Sequence, residues 1–244
     1  MQNPKDNWYT SWFDTPYYHI LYQERDEKEA GIFMQNLTSF LRLDPDAEIL
    51  DLACGLGRHA RYLSELGYRV IGADLSENNI SIAKQFENDR LQFKVHDMCM
   101  PYPGKFDAVF NLFTSFGYFE KEEDNLRTIA AIRDALKPSG YGVIDFLNVH
   151  KAIPELVYSE EKQIDNLHFN IERKYEEGYL LKRIDFEVNG SPLQFLERVK
   201  ALTLEDFQHY FNSTGVKLIK SFGCYHLSDF HVNSSERLIL IFGR

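Results

Sequence analysis

The feature that most constrains the fold is an alternation between short apolar runs and helix-like stretches over residues 28–148. The strand-like runs lie at residues 47–53, 68–73, 91–95, 106–113 and 142–147. Segments with apolar residues at helical spacing separate most of these runs. This alternation predicts an α/β fold in which a doubly wound, mostly parallel sheet carries helices on both faces.

The alternation is interrupted after Asn148 and resumes near Thr203. Residues 168–199 contain the turn signals Glu177-Gly178 and Asn189-Gly190, which predict hairpins in a three-stranded antiparallel meander. Thr203-Leu-Glu-Asp is typical of a capped helix start, and residues 216–222 and 237–242 are again strand-like. We therefore expect a seven-stranded sheet with the meander inserted after its fifth strand, beside the crevice where such sheets bind ligands.

These patterns predict one domain over residues 1–244. Its expected parts are an N-terminal aromatic segment at 1–27, a ligand-binding core at 45–148, an inserted substrate-side subdomain at 149–202 and a return to the sheet at 203–244.

Charge and composition restrict the class of partner. Lys and Arg total 27 against 37 Asp and Glu, and the net charge of −10 opposes the electrostatic attraction on which nucleic-acid affinity depends. The chain begins without the apolar segment of a secretory signal, and it lacks a long uninterrupted apolar stretch. Its three cysteines have no metal-ligand spacing, so we expect a cytoplasmic protein without a membrane partner or a metal.

A glycine-rich turn follows the first predicted strand, in the sequence LDLACGLGRHARYL. Gly55, Gly57 and Ala60 match the pattern G-x-G-x-x-A, which lets a backbone approach a nucleotide closely. Asp74 ends the next strand, at the spacing where a carboxylate accepts hydrogen bonds from a ribose. The pattern alone is also compatible with a nicotinamide-dependent oxidoreductase.

Asp51 distinguishes a dinucleotide from S-adenosylmethionine as the cofactor. A carboxylate just before this turn would repel the pyrophosphate of a dinucleotide. S-adenosylmethionine has no phosphates and carries both an ammonium and a sulfonium group. Asp51 therefore favours S-adenosylmethionine, with Asp51 at the aminoacyl end and Asp74 at the ribose.

The stretches ILDLACGLGRHARYL and VIGADLS resemble the class I S-adenosylmethionine-dependent methyltransferases over residues 45–148. The resemblance implies that Asp97 bonds the adenine amino group and that Met98 packs on the adenine ring. It also implies backbone contacts from Asn111 and Leu112, and Phe116 beside the sulfonium. The full set of expected cofactor contacts in this core is Asp51, Gly55, Gly57, Asp74, Leu75, Asp97, Met98, Asn111, Leu112 and Phe116.

Seven aromatic residues lie within the first 22 positions. They could form a simple hydrophobic anchor. The stretch YYHILYQERD, however, resembles the N-terminal segment of glycine-type N-methyltransferases, which folds over the cofactor. The resemblance implies a lid in which Tyr18 and Tyr22 line the pocket and Arg25 pairs with the methionine carboxylate.

The methyl acceptor is expected to be a small molecule, methylated at nitrogen or oxygen. The segment after the fourth strand, Asn111-Leu112-Phe113-Thr114, lacks the prolines of nucleic-acid amino methyltransferases. The candidate bases are His19, His150, His226, His231 and Tyr118, with Asn148 as an orienting group, and the sequence does not choose among them. An RNA methyltransferase, an oxidoreductase and a non-catalytic S-adenosylmethionine-binding module remain as alternatives.

Overall fold

The computed structural model describes residues 8–23 and 27–244, which contain two β-sheets. The strands of the larger sheet are β1 (Glu48–Leu52), β2 (Arg69–Asp74), β3 (Leu91–Val95), β4 (Phe106–Asn111), β5 (Leu136–Leu147), β10 (Lys217–Phe222) and β11 (Arg237–Gly243). The smaller sheet contains β6 (Ser159–Ile164), β7 (Leu167–Glu176), β8 (Tyr179–Val188) and β9 (Ser191–Lys200).

The larger sheet has the strand order β10-β11-β5-β4-β1-β2-β3. Its pairs are parallel except for the two made by β11, which runs antiparallel to both β5 and β10. The prediction of a seven-stranded, mostly parallel sheet is therefore confirmed. The strand order reverses between β1 and β4. The chain segments that leave these two strands therefore turn away from each other at the edge where the glycine turn begins.

Helices cover both faces of this sheet. They are α1 (Trp8–Trp12), α2 (Pro16–Leu21), α3 (Glu27–Leu41), α4 (Arg58–Glu65), α5 (Glu77–Ala83), α6 (Glu122–Ala135), α7 (Val149–Ala152) and α8 (Leu204–Thr214), with a 3-10 turn at Lys84–Phe86. The apolar sides of α3, α4 and α5 form one core, and those of α6 and α8 form the other. The predicted capping box of α8 is confirmed, because Thr203 and Asp206 bond each other's backbone N–H groups.

The smaller sheet is inserted between β5 and α8, and its strands pair in the order β6-β7-β8-β9. All three pairs are antiparallel. The prediction of three strands was wrong by one, since β6 was missed. Its sequence, SEEKQI, has a single apolar residue and no alternation, because it is an edge strand that buries little of its surface.

The aromatic N-terminal segment packs on this inserted sheet. Trp8, Trp12 and Leu21 form a third apolar cluster with side chains from β7 and β8, including Phe169 and Phe186. Residues 8–23 thus have a hydrophobic core of their own with the insertion. In residues 8–23 and 27–244, no helix combines the length and apolar character needed to cross a membrane.

Candidate active site

A cavity of about 400 Å³ opens at the carboxyl edge of the large sheet. Nine of the predicted cofactor residues line it: Tyr18, Tyr22, Asp51, Gly55, Asp74, Leu75, Asp97, Met98 and Leu112. They come from the ends of β1, β2, β3 and β4 and from the N-terminal segment. The fold therefore gathers most of the predicted set around one space.

Asp51 is the most unusual group in this cavity. The residue is 1% exposed, and its Oδ2 has no hydrogen-bond partner among the described residues. Burial raises the pKa of Asp51 from 3.8 to about 7, and the nearby charge of Asp74 adds to the rise. A backbone hydrogen bond from Ala60 and the charge of Arg58 act in the opposite direction. A buried carboxylate of this kind is suited to a cationic ligand group.

The glycine turn places Asp51 beside helix α4. Gly55 and Gly57 both have positive φ angles, 56° and 80°, which glycine adopts without steric cost. A Cβ atom on Gly57 would lie 2.4 Å from the ring of buried Phe93, so this glycine is required by packing. Gly57 itself is not among the residues that line the cavity.

Asp74, at the end of the neighbouring strand β2, is hydrogen-bonded to the glycine turn. Its Oδ2 accepts a hydrogen bond from Gly55 N at 2.8 Å, and its Oδ1 accepts one from Ser76 N at 2.9 Å. Burial raises its pKa, while these two hydrogen bonds and the nearby His19 lower it. Because a carboxylate oxygen can accept two hydrogen bonds, each oxygen retains a position for a ligand hydroxyl.

The opposite end of the cavity contains Asp97 and Met98. Asp97 Oδ1 accepts a hydrogen bond from Cys99 N at 2.9 Å, and Tyr9 and Phe119 line the same cavity with their rings 6.0 Å apart. Burial, with the nearby Cys99 and Asp97, raises the pKa of Tyr9 to about 12. An acid between apolar and aromatic side chains fits a flat nitrogen heterocycle.

Besides Gly57, two described residues of the predicted set lie outside the cavity lining. Phe116 is 0% exposed and packs on Phe207 in the core beneath α8, so the structure does not bring it to the cavity. Asn111 is equally buried, and its amide donates to Leu52 O at 3.1 Å. Spacing alone did not reveal which side of the chain faces the core. Phe113 and Ser115 line the cavity in their place.

The N-terminal segment is held at both sides of the cavity. On the inserted sheet, Glu197 accepts hydrogen bonds from Trp12 Nε1 at 2.7 Å and from Tyr22 OH at 2.7 Å. On the core side, Asp14 accepts hydrogen bonds from Ser76 and Asn78. The segment thus bridges the insertion and the loop that follows Asp74. The predicted contact of Arg25 lies outside the described residues.

The candidate bases fall into two groups, those that line the cavity and those that do not. His19 and Tyr118 line the cavity, and His19 Nε2 donates to Asn79 Oδ1 at 2.9 Å. His150, His226 and His231 are exposed residues that do not line it. Asn148 does not line the cavity; it caps α7, and its amide donates to Val232 O and Ser235 O.

Several cavity residues were not predicted from the sequence. They are Tyr9, Phe13, Cys54, Arg58, His59, Arg61, His96, Phe113, Ser115 and Phe119. Arg58 and His59 follow Gly57 directly, so their position at the start of α4 was an available signal. Cys54, Arg61 and His96 lie in the glycine turn, in α4 and just after β3. The others depend on how the N-terminal segment and the loop after β4 fold back.

Comparisons with known proteins agree with this geometry. Residues 49–140 match the family model described as a methyltransferase domain. The chain contains a methyltransferase domain over these residues. The glycine turn, Asp51, Asp74, Asp97 and Met98 all lie within the matched residues of this methyltransferase domain.

Relatives of the methyltransferase domain act on different acceptors. A glycine/sarcosine N-methyltransferase of Halorhodospira halochloris is 31% identical over 53% of this chain and 49% of its own length. A ubiquinone biosynthesis O-methyltransferase of Xanthomonas campestris is 31% identical over 43% of this chain and 44% of its own length. The chain spans about half the length of the curated relatives it matches.

Solved structures extend the likeness in fold to most of the chain. An S-adenosylmethionine-dependent methyltransferase from Clostridium acetobutylicum has a TM-score of 0.78 at 20% identity, covering 93% of this chain and 95% of that one. The sugar N-methyltransferase KedS8 from Streptoalloteichus has a TM-score of 0.73 at 17% identity, covering 93% and 92%.

Proposed function

We propose that this protein transfers the methyl group of S-adenosylmethionine to a nitrogen or oxygen atom of a small molecule. The observation that carries the proposal is the unpartnered, buried oxygen of Asp51 in the cavity that also contains Asp74 and Asp97. Three carboxylates along one cavity match the ammonium, the ribose hydroxyls and the adenine amino group of that cofactor. A dinucleotide would instead bring its pyrophosphate towards Asp51.

In this arrangement each end of the cofactor has its own protein contacts. Asp51 binds the ammonium group, Gly55 allows close approach of the backbone, and Asp74 accepts hydrogen bonds from the ribose. Asp97 and Met98 hold the adenine. When bound, S-adenosylmethionine supplies an electrophilic methyl group on a positively charged sulfur atom.

The remaining cavity wall supports a small acceptor. Tyr9, Phe13, Tyr18 and Tyr118 form a connected set of ring contacts, with centroid separations of 4.8–6.2 Å between Phe13 and Tyr18, Phe13 and Tyr118, and Tyr9 and Tyr118. This aromatic wall orients an acceptor and excludes water, and both effects accelerate a transfer between two bound molecules. His19 and Tyr118 are the candidate groups to receive the proton that an amine or hydroxyl acceptor loses on methylation.

The alternatives have less support. The net charge of −10 opposes an RNA substrate. The curated relatives include a glycine/sarcosine N-methyltransferase, a ubiquinone biosynthesis O-methyltransferase and an amino-sugar N,N-dimethyltransferase by name, which favours a metabolite acceptor. A non-catalytic binding module would not require an acceptor-sized aromatic wall beside the cofactor residues.

The proposal is tested by incubating the protein with S-adenosylmethionine and separate sets of amino acids, amino sugars and phenols, and measuring release of S-adenosylhomocysteine. We expect acceptor-dependent release with one set. A matched Asp74→Ala variant should reduce that release. Acceptor-independent release alone, or transfer only to RNA, would contradict the small-molecule assignment.

A further inference from the structure

The loop that leaves β4 contains two adjacent residues in a costly backbone conformation. Phe113 and Thr114 have φ angles of 59° and 61°, in the left-handed region that residues with a side chain rarely adopt. Such a conformation is strained and persists only where the surrounding structure enforces it.

Asp145 of β5 bonds both residues. Its Oδ2 accepts a hydrogen bond from Phe113 N at 2.8 Å, and its carbonyl oxygen accepts one from Thr114 N at 2.8 Å. The residue is only 1% exposed. Charge-assisted hydrogen bonds of this kind are stronger than neutral ones, so the carboxylate is well placed to offset the strain.

Arg237 of β11 completes the arrangement. Its Nε donates to Asp145 Oδ1 at 2.8 Å, and its Nη2 donates to Thr114 Oγ1 at 3.0 Å. Its guanidinium carbon also lies 5.7 Å from the centre of the Phe113 ring. Tyr225 OH adds a hydrogen bond to Asp145 Oδ2 at 3.2 Å. The buried ion pair of Asp145 and Arg237 therefore contacts both the backbone and the side chains of Phe113 and Thr114.

This turn forms the cavity wall near Asp51. Leu112, Phe113 and Ser115 line the cavity, and the Phe113 ring lies 5.4 Å from the guanidinium carbon of Arg58. The charge of Arg58 in turn acts on the carboxylate of Asp51. Through Arg58, these contacts place the turn at the end of the cavity that contains Asp51.

We propose that Asp145, through its ion pair with Arg237, is a positioning residue that holds residues 112–115 against the methionine end of the cofactor. The inference rests on the proposed function, because it takes Asp51 as the site of the cofactor's ammonium group. It assigns to Asp145 and Arg237 an effect on ligand affinity that is separate from their contribution to folding.

The experiment compares two ligands that share the adenosine group. S-adenosylhomocysteine contains the aminoacyl chain, whereas 5′-methylthioadenosine lacks it. In Asp145→Asn, we expect the dissociation constant of S-adenosylhomocysteine to rise about tenfold, as for the loss of one charged hydrogen bond. The dissociation constant of 5′-methylthioadenosine should remain within about twofold of the wild-type value, because the adenosine contacts are unchanged.

A second variant tests the inference even if Asp145→Asn does not fold. Asp145→Asn leaves the buried Arg237 without its counter-charge, and this can unfold the protein. Thr114→Val preserves the ion pair and the β-branched side chain while removing the acceptor for Arg237 Nη2. We expect a smaller shift, about threefold, again confined to S-adenosylhomocysteine.

Asp107→Asn is the matched control. Asp107 also pairs with a cation, Lys137 at 2.8 Å, but it lies at the start of β4, far along the strand from the turn. It should change neither ligand's affinity. Equal effects on both ligands, or no effect in either folded test variant, would overturn the inference. If the wild-type protein bound neither ligand, the proposed function itself would fail.

Discussion

Asp74 accepts a hydrogen bond from Gly55 N at 2.8 Å, so the carboxylate at the end of β2 fixes the glycine turn that follows β1. The same carboxylate lines the cavity. It therefore acts twice, once on the conformation of the turn and once as an acceptor for a ribose. The two strands are adjacent and parallel, which makes this contact possible.

Replacing Asp74 should weaken cofactor binding. Asp74→Ala removes the ribose acceptor and the support of Gly55, and we expect a loss of roughly 1–3 kcal/mol in the binding free energy of S-adenosylhomocysteine. Calorimetric titration measures it. Asp46→Ala is the control, since Asp46 is an exposed partner of Arg90. Unchanged affinity in Asp74→Ala would refute the ribose assignment.

The sequence predicted the sheet and the acids at its carboxyl edge because both follow from local patterns. Asp51 lies near the end of the first apolar run and Asp74 directly follows the second, so the parallel arrangement of the strands brings them together. The position of Phe116 in the core was not predicted because the run FNLFTSFGYF has apolar residues on both sides of the chain. Two consecutive left-handed residues, Phe113 and Thr114, interrupt the extended backbone of that run, and neither is a glycine that would have signalled a turn.

The inserted sheet was also predicted in part from its sequence. The turns at Gly178 and Gly190 were recognisable from their sequence, and the corresponding hairpins are present. The edge strand β6 was not recognised because edge strands need no apolar alternation. Its pairing with β7 depends on backbone hydrogen bonds that any sequence can make.

Asp51 should make the stability of the ligand-free protein depend on pH. Its pKa is about 7 in the folded protein and 3.8 without burial, so between these values the folded state binds more protons. Stability should therefore fall as pH rises from about 4 to 7, by at most about 4 kcal/mol from this group. Asp51→Asn removes the ionisable group and should reduce this slope in urea unfolding measured across the range.

The same group should make cofactor binding depend on pH with the opposite sign. The ammonium of S-adenosylhomocysteine favours an ionised Asp51, so affinity should rise from pH 5.5 towards pH 7.5 and protons should be released on binding. Titrations in two buffers with different ionisation enthalpies measure the release. A similar pH dependence in Asp51→Asn would assign the effect to another residue.

Glu197 should control how fast the cofactor leaves. Its carboxylate accepts hydrogen bonds from Trp12 and Tyr22, and Lys182 lies 3.9 Å from its Oε2. Glu197→Ala should loosen the N-terminal segment and raise the dissociation rate of S-adenosylhomocysteine about threefold to thirtyfold. Stopped-flow displacement measures the rate. Glu187→Ala, at an exposed position on β8, should leave it unchanged.

The two glycines of the turn should differ in their tolerance of a side chain. Gly57→Ala forces a Cβ atom to 2.4 Å from the buried Phe93 ring, and we expect it to reduce the free energy of unfolding by several kcal/mol. Gly55→Ala has no atom within 4 Å of its Cβ and meets only the unfavourable φ, which costs about 1–2 kcal/mol. Urea unfolding distinguishes the two, and equal losses would mean that packing on Phe93 is not the constraint.

The most direct measurement is a calorimetric titration of the wild-type protein near pH 8 with S-adenosylhomocysteine and, separately, with NADH. At that pH Asp51 is mostly ionised, and the buried carboxylates favour a ligand without phosphates. We predict saturable binding of one S-adenosylhomocysteine per chain and no measurable binding of NADH. Saturable NADH binding with no heat from S-adenosylhomocysteine would contradict the account.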